Sequence, residues 1–304
     1  MKRFLTYCIL FIVPILAVTL PLEYALRQVP NPYRYKYEWM QDHAESVKTL
    51  VLGNSHTFYG IRPDLLDGGP AFSLANVAQD LNHDLSLLAY WEDRYDSLKT
   101  VILPISYFTW FSPGVINEEE SYRLRYYMLY MDSDDYPALS FQSLEISDYR
   151  TALGKLKKLL HGEMDPGVDS FGWGNTLVLS QKDTARWNNG SEAKAAILHH
   201  TPKDWSLIES NYAKMSRIAA FCADRHIRLV LVTTPCWSAY TEGLDPVQLE
   251  KMNELTARFT KEFHVPYLNY LSDPRFEADD FYDSNHLSDI GAAKFTRILN
   301  QDIF

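Results

Sequence analysis

The chain has 304 residues, of which 39 are Asp or Glu and 29 are Lys or Arg, giving a net charge of −10 at pH 7. This balance excludes a nucleic-acid partner, because neutralising phosphates takes clustered Lys and Arg, which the sequence lacks. Three cysteines are too few for a disulfide framework, although a Cys222–Cys236 bridge stays open. Since no Cys/His group has the spacing of a metal site, we expect neither a metal nor a cofactor.

The amino-terminal segment of the chain is apolar. Lys2 and Arg3 precede an uncharged run at 4–20, and the next charge is Glu23. The run is about long enough to span a bilayer core and longer than a typical signal-peptide core. With no Ala-x-Ala cleavage signal after it, we expect an uncleaved signal anchor over 1–27. The charges before the span predict a single-pass protein of the cytoplasmic (inner) membrane whose remaining chain lies outside the cytoplasm.

After the anchor, residues 28–46 are interpreted as a polar stalk and residues 47–304 as one α/β domain. The predicted elements of the domain are strand 48–53, helix 84–95, strand 100–105, helix 205–225, strand 228–233, helix 244–263, strand 265–269 and a helix from 287. This alternation predicts a mainly parallel sheet with helices on both faces. In such folds active sites lie at the carboxyl ends of strands.

Between about 107 and 200 the alternation fails, and we interpret this segment as an inserted subdomain packed near the site. Its first half is rich in aromatic residues. Rings beside a catalytic centre stack on sugars, and the candidates are Trp110, Tyr126, Tyr127, Tyr130 and Trp173. The helical spacing of Tyr122, Tyr126, Leu129 and Tyr130 equally favours a core face. Both interpretations stay open.

The tetrapeptide Gly53-Asn54-Ser55-His56 stands where the first strand turns into a helix. A serine at such a turn has an exposed hydroxyl, and its own backbone N–H is aimed toward the same point. This pattern predicts Ser55 as a nucleophile whose N–H forms part of an oxyanion hole.

A second motif, Asp283-Ser284-Asn285-His286, precedes the last predicted helix. A serine hydroxyl needs an imidazole to take its proton and a carboxylate to orient that imidazole. His286 and Asp283 are predicted in those two roles. His56 is the competing base, but a residue adjacent to the nucleophile points away from it along most turns. We therefore place His56 at the polar rim of the site, in contact with substrate.

These two motifs resemble the first and last blocks of the SGNH (GDSL-type) hydrolase superfamily, with Asn54 in place of its aspartate. The resemblance implies an SGNH/flavodoxin-like sandwich and a serine esterase or acyltransferase. The middle blocks depart from the family pattern, because Gly-x-Asn-Asp is missing and residues 71–76 lack the second-block glycine. A backbone N–H of Ala75 or Asn76, or the Asn76 amide, is the expected replacement as oxyanion donor.

An amino-terminal anchor before such a domain is similar to the cell-envelope branch of the superfamily, which includes the D-alanine transfer protein of lipoteichoic acid synthesis and the alginate O-acetylation proteins. This similarity implies an acylated carbohydrate or wall polymer as substrate and a membrane-bound acyltransferase as partner. The missing middle blocks support an alternative, a non-catalytic accessory that binds such a polymer or acyltransferase. Hydrogen-bond reach between Ser55 and His286 would favour the enzyme.

Overall fold

The computed structural model describes residues 1–113, 121–131 and 143–304. Strands alternate with helices over 49–104 and again over 228–304. The strands are β1 (Thr49–Val51), β2 (Ala71–Ser73), β3 (Thr100–Pro104), β4 (Arg228–Thr233) and β5 (Tyr267–Asn269). The α-helices are α1 (Lys2–Arg27), α2 (Pro32–His43), α3 (Ser55–Gly60), α4 (Leu81–Tyr90), α5 (Leu124–Tyr130), α6 (Tyr149–His161), α7 (Thr184–Asn189), α8 (Ser191–His200), α9 (Ile208–Asp224), α10 (Ser238–Thr241), α11 (Pro246–Phe263) and α12 (Asp289–Ile303).

Over the described residues, the strands form one sheet in the order β2-β1-β3-β4-β5, and every neighbouring pair is parallel. This is the flavodoxin-like order of doubly wound folds, in which the chain reverses direction across the sheet between β1 and β3. The predicted α/β class with a mainly parallel sheet is confirmed. The sheet contains one strand more than predicted, since β2 lies at its edge.

Alternate residues of the strands belong to two hydrophobic cores, one on each face of the sheet. Leu50, Val101 and Leu231 pack in a core with side chains of α2, α4, α9 and α11. Val51 and Ile102 pack in a second core with side chains of α12. Helices therefore cover both faces, and the carboxyl ends of the strands meet at one edge.

The segment at 28–46 packs on the domain rather than standing away from it as the expected stalk. Its helix α2 begins after Asn31, whose side chain caps the first turn. Tyr33, Met40 and Ala44 lie on one side of the segment and are buried in the first core. The polar composition of 28–46 concealed this apolar face, which makes the segment part of the folded domain.

Helix α1 is long and apolar enough to cross a membrane by its length and composition. The apolar side chains at 4–20 are largely exposed, whereas Glu23 and Leu26 near the end of the helix are buried against the domain. The expected anchor over 1–27 therefore coincides with one continuous helix. The membrane that it enters and the side on which the domain lies stay predictions.

The segment expected as an insertion, about 107–200, contains α5, α6, α7 and α8 in its described parts. Residues 114–120 and 132–142 of that segment lie outside the described residues. Cys222 and Cys236 are buried free thiols, so the bridge that the sequence left open is not formed.

Candidate active site

The turn after β1 presents Ser55 at the first residue of α3. Gly53 has a φ of +106°, and a Cβ on it would lie 2.1 Å from Cδ of Pro104, so the turn requires glycine. Asn54 caps α3 by accepting the backbone N–H of His56 at 3.0 Å. The cap and the glycine together hold Ser55 at the carboxyl end of the sheet, where the sequence predicted it.

His286 and Asp283 reach Ser55 from the loop before α12. Nε2 of His286 lies 2.8 Å from Oγ of Ser55, and its Nδ1 lies 3.0 Å from each carboxylate oxygen of Asp283. The backbone N–H groups of His286 and Asn285 also donate to Asp283, at 2.8 and 3.1 Å. The three side chains thus form a continuous hydrogen-bonded series from carboxylate to imidazole to hydroxyl.

The environment of Asp283 keeps its carboxylate ionised. Burial alone would raise the pKa of Asp283, but the His286 imidazole and the two backbone N–H donors hold that pKa below its usual range. An ionised Asp283 accepts a proton-bearing Nδ1 of His286, which leaves Nε2 free to take the Ser55 proton. His286 thus presents a proton-accepting nitrogen to Ser55, as general-base activation of a serine requires.

A cavity of about 750 Å³ opens beside Ser55 and His286. One of its walls is α8, which contributes Leu198 and His200, and Phe108 after β3 stacks on the His200 ring. Burial lowers the pKa of His200 to about 3, with help from the neighbouring imidazoles, so the His200 ring is uncharged at neutral pH. The described part of the expected insertion therefore shapes the cavity through α8 and the segment after β3, which contributes Phe108, Thr109, Ser112 and Pro113, rather than through the aromatic candidates.

Asn76 does not offer its donors to the cavity. Its backbone N–H donates to Gly53 at 3.0 Å, and its amide donates to the carbonyl of Leu74 and to Gln79 at 3.3 and 3.1 Å. Ala75 is fully buried. Among the described residues that line the cavity, neither Ala75 nor Asn76 occurs, although Ser55 does. The proposed donors of Asn76 are corrected on this point, because its backbone N–H and its amide are both bonded inside the domain. Ala75 is buried outside the cavity lining.

The aromatic candidates are core residues. Trp110 is fully buried, stacks near Tyr212, and donates its indole N–H to Thr256 at 3.0 Å. Tyr127 is buried beneath the cavity with its hydroxyl on Gln79, and Trp173 is buried with its indole N–H on the carbonyl of Tyr59. The other two candidates are also buried, namely Tyr126 and Tyr130. These aromatic residues fit the interpretation of a core face, because each ring is enclosed by neighbouring side chains.

His56 is a buried residue and not a rim residue. Its Nδ1 lies 2.9 Å from Oγ of Ser106, which in turn accepts the Asn54 amide at 3.0 Å. Its Nε2 lies 3.4 Å from Nδ2 of Asn285, and that same nitrogen is 3.5 Å from Nε2 of His286. Burial lowers the pKa of His56 well below its usual range, and the charges that His286 and His200 would carry lower it further. A neutral His56 therefore ties the two motif loops together.

Ser106, Asn285 and Asp84 are site residues that sequence reasoning missed. Asp84 accepts the backbone N–H of Gly53 at 2.8 Å and the Gln79 amide at 2.7 Å. Its carboxyl is buried, which raises its pKa to about 7. The position of Asn285 inside the second motif was a usable signal. Nothing in the sequence pairs Ser106 or Asp84 with the serine turn.

Comparisons with known proteins yield distant likenesses of fold. No protein-family model matches the chain, and no curated protein matches it. A proposed acylhydrolase from Bacteroides fragilis NCTC 9343 is similar at 12% identity and a TM-score of 0.41, covering 87% of this chain and 93% of its own.

Two other solved structures are similar at the same level. One is a GDSL-like lipase from Bacteroides thetaiotaomicron VPI-5482, at 12% identity and a TM-score of 0.40, covering 90% of this chain and 98% of its own. The other is a proposed arylesterase from Agrobacterium tumefaciens str. C58, at 12% identity and a TM-score of 0.34, covering 84% and 98%. Likeness at this level leaves the activity to be inferred from the chain's own residues.

Proposed function

We propose that this protein is a serine acyl esterase or O-acyltransferase that works through Ser55, His286 and Asp283. The observation that carries the proposal is the 2.8 Å contact between Ser55 and His286, backed by Asp283 at 3.0 Å. A binding accessory has no need of this hydrogen-bonded series. The cavity beside Ser55 supplies room for an acyl group or an alcohol.

In this mechanism Oγ of Ser55 attacks the ester carbonyl while Nε2 of His286 takes its proton. The tetrahedral intermediate collapses with the proton passing from His286 to the departing alcohol, which leaves an acyl group on Ser55. Water or an acceptor hydroxyl then attacks this acyl-enzyme, its proton goes to His286, and the proton returns to Ser55 as the product leaves. Hydrolysis and transfer differ only in which hydroxyl attacks.

As substrate we propose an acylated carbohydrate or wall polymer of the cell envelope, with the domain held outside the cytoplasm by α1. The support is the apolar anchor and the sequence resemblance to the envelope branch of the SGNH superfamily. A membrane-bound acyltransferase is the corresponding partner for the transfer reaction. None of the three solved structures is described as acting on such a polymer.

A serine-directed fluorophosphonate tests the chemistry. The full chain, in detergent, is treated with the probe, and intact mass is measured for wild type, Ser55→Ala and Ser112→Ala. Ser112 is a matched control because it also lines the cavity but is not bonded to His286 in the proposed series. We expect one adduct on wild type and on Ser112→Ala and none on Ser55→Ala.

The second candidate function is that of a non-catalytic accessory. The loss of Asn76 as an oxyanion donor favours an accessory that retains the fold without turnover. An absence of labelling on folded wild-type protein would support that accessory and contradict the enzyme. Adduct formation on Ser55→Ala would place the reactive group elsewhere.

A further inference from the structure

Helix α6 presents an apolar stripe that nothing in the described residues covers. Tyr149, Leu153 and Leu160 are 65%, 61% and 77% exposed, and Met164 just beyond the helix is 55% exposed. Tyr149, Leu153 and Leu160 are separated by four and seven positions and so lie along one face of the helix. Large exposed apolar side chains in a contiguous row mark an interaction surface.

Basic side chains lie beside this stripe. Arg150 and Lys157 of α6 lie beside the stripe and Lys158 lies on the opposite side of the helix; all three are exposed, and the sequence of the helix contains no Asp or Glu. Lys155 instead faces inward, where it pairs with the buried Glu145. An apolar face flanked by Lys and Arg is typical of helices that lie in the plane of a membrane surface.

The position of α6 relative to α1 adds an independent argument. Glu23 in the last turns of α1 accepts the backbone N–H groups of Glu145 and Ile146, at 3.0 and 3.1 Å. Arg27 donates to the carbonyl of Ser143. These bonds fix the turn that leads into α6 at the end of the apolar run, where a spanning α1 would leave the hydrocarbon. Helix α6 therefore begins beside the end of α1 and contacts it.

From these observations we propose that α6 is an interfacial helix, which buries its Tyr149/Leu153/Leu160 stripe in the same bilayer that α1 spans. Its Arg and Lys side chains contact the headgroups of anionic lipid. Each basic residue near an anionic surface contributes attraction that falls off within a Debye length. The proposal depends on α1 lying in a membrane and not on the chemistry at Ser55, so the two fail independently.

Depth-dependent quenching tests the proposal on the full chain in nanodiscs with equal amounts of phosphatidylcholine and phosphatidylglycerol. A single NBD fluorophore is placed at Leu153→Cys or Leu160→Cys in a Cys8→Ala background. Val247→Cys in α11 is the matched control, because Val247 and Leu153 are both 61% exposed. We expect lipid-attached doxyl groups to quench the two α6 labels and aqueous iodide to spare them. The Val247 label should show the reverse.

Two results would overturn the proposal. Iodide quenching of the Leu153 label equal to that of the Val247 label would mean that the stripe faces water. Protection from both quenchers would mean that a protein, or a second copy of the chain, covers it. The basic flank has its own test: Arg150→Glu with Lys157→Glu should reduce doxyl quenching at Leu160 in the mixed discs and leave it unchanged in pure phosphatidylcholine. Equal loss in both lipids would refute the electrostatic contact.

Discussion

At the scale of single residues, the side chain that decides the state of the candidate site is Asp283. Its two oxygens accept Nδ1 of His286 and two backbone N–H groups. A carboxylate there requires the proton of neutral His286 to stay on Nδ1. The nitrogen that faces Ser55 is consequently an acceptor.

Asp283→Asn should therefore disable the site without moving it. An amide at this position can donate to Nδ1 and so favours the tautomer with its proton on Nε2, which cannot take the Ser55 proton. By analogy with serine hydrolase triads, we expect kcat to fall by about 10³ to 10⁴ while KM changes little. The rate of fluorophosphonate labelling measures the loss of reactivity at Ser55. Once an ester substrate is found, steady-state kinetics measures kcat and KM.

The control for this variant is Asp279→Asn, because Asp279 is an exposed carboxylate four residues earlier. Its labelling rate should equal that of wild type. A full labelling rate in Asp283→Asn would show that Asp283 does not orient His286.

Asp84 gives the chain a pH-dependent stability. Its pKa is about 7 in the folded protein, above its ordinary value, because burial disfavours the charged form. The folded state thus binds a proton that the unfolded chain releases near pH 4, and stability contributed by this group falls as pH rises from about 4 to 7.

Asp84→Asn removes that titration and keeps an oxygen for the Gly53 and Gln79 donors. Relative to wild type, the variant should gain up to about 4 kcal/mol of unfolding free energy above pH 7 and little below pH 4. Urea unfolding of the full chain across this range measures the difference. A difference in unfolding free energy that does not change with pH would contradict the raised pKa of Asp84. The control variant is Asp93→Asn, at an exposed position.

At the scale of elements, α12 is held to the domain by a glycine. A Cβ on Gly291 would lie 1.8 Å from the carbonyl oxygen of Asp280, so the first turn of α12 packs directly on the backbone before it. The same contact supports the loop that contains Asp283 and His286. The distance between the sheet and His286 therefore depends on the absence of a Cβ at Gly291.

Gly291→Ala and Gly154→Ala should have opposite effects on stability. The first forces the backbone of α12 away from Asp280 and should cost about 2 kcal/mol or more. The second adds a methyl group in α6 with nothing within 4 Å and should gain up to about 1 kcal/mol through helix propensity. Melting temperatures of the two full-chain variants test the pair. A gain from Gly291→Ala would show that the close approach is absent.

Elements with strong periodicity or clear caps were predictable. β4 has the predicted bounds, and Asp245 with Pro246 opens α11 as the sequence indicated. β2 was missed because Ala71-Phe72-Ser73 contains a single large apolar residue and so lacks the apolar run that indicates a buried strand. Its position matters, since the loop after it turns Asn76 away from the cavity.

The site was predictable only where its residues stand in local motifs. Ser55, Asp283 and His286 are recognisable from spacing and residue type. Trp110 and Tyr127 were not distinguishable from binding residues, because an aromatic residue has the same sequence signature in a core and in a cleft. The pairing of His56 with Ser106 joins residues 50 positions apart, which only the parallel crossing of β1 and β3 brings together.

At the scale of the whole molecule, we expect α1 to determine the side of the membrane on which the domain lies. Lys2 and Arg3 precede the span, so the domain should be exported. A phosphatase reporter that folds only outside the cytoplasm, fused after Phe304, should be active, and a fluorescent protein that fails outside the cytoplasm should stay dark. Lys2→Glu with Arg3→Glu should lower the phosphatase signal. A bright fluorescent fusion with inactive phosphatase would reverse the predicted orientation.

The bonds from Glu23 and Arg27 to the turn before α6 attach the end of the anchor to the domain. In a bilayer that holds α1, the mouth of the cavity consequently stands at one height above the lipid. If the proposed activity holds, we expect its encounters with substrate to be a two-dimensional search. Lateral diffusion would bring the enzyme beneath a polymer, and the polymer would have to bend its ester down to Ser55.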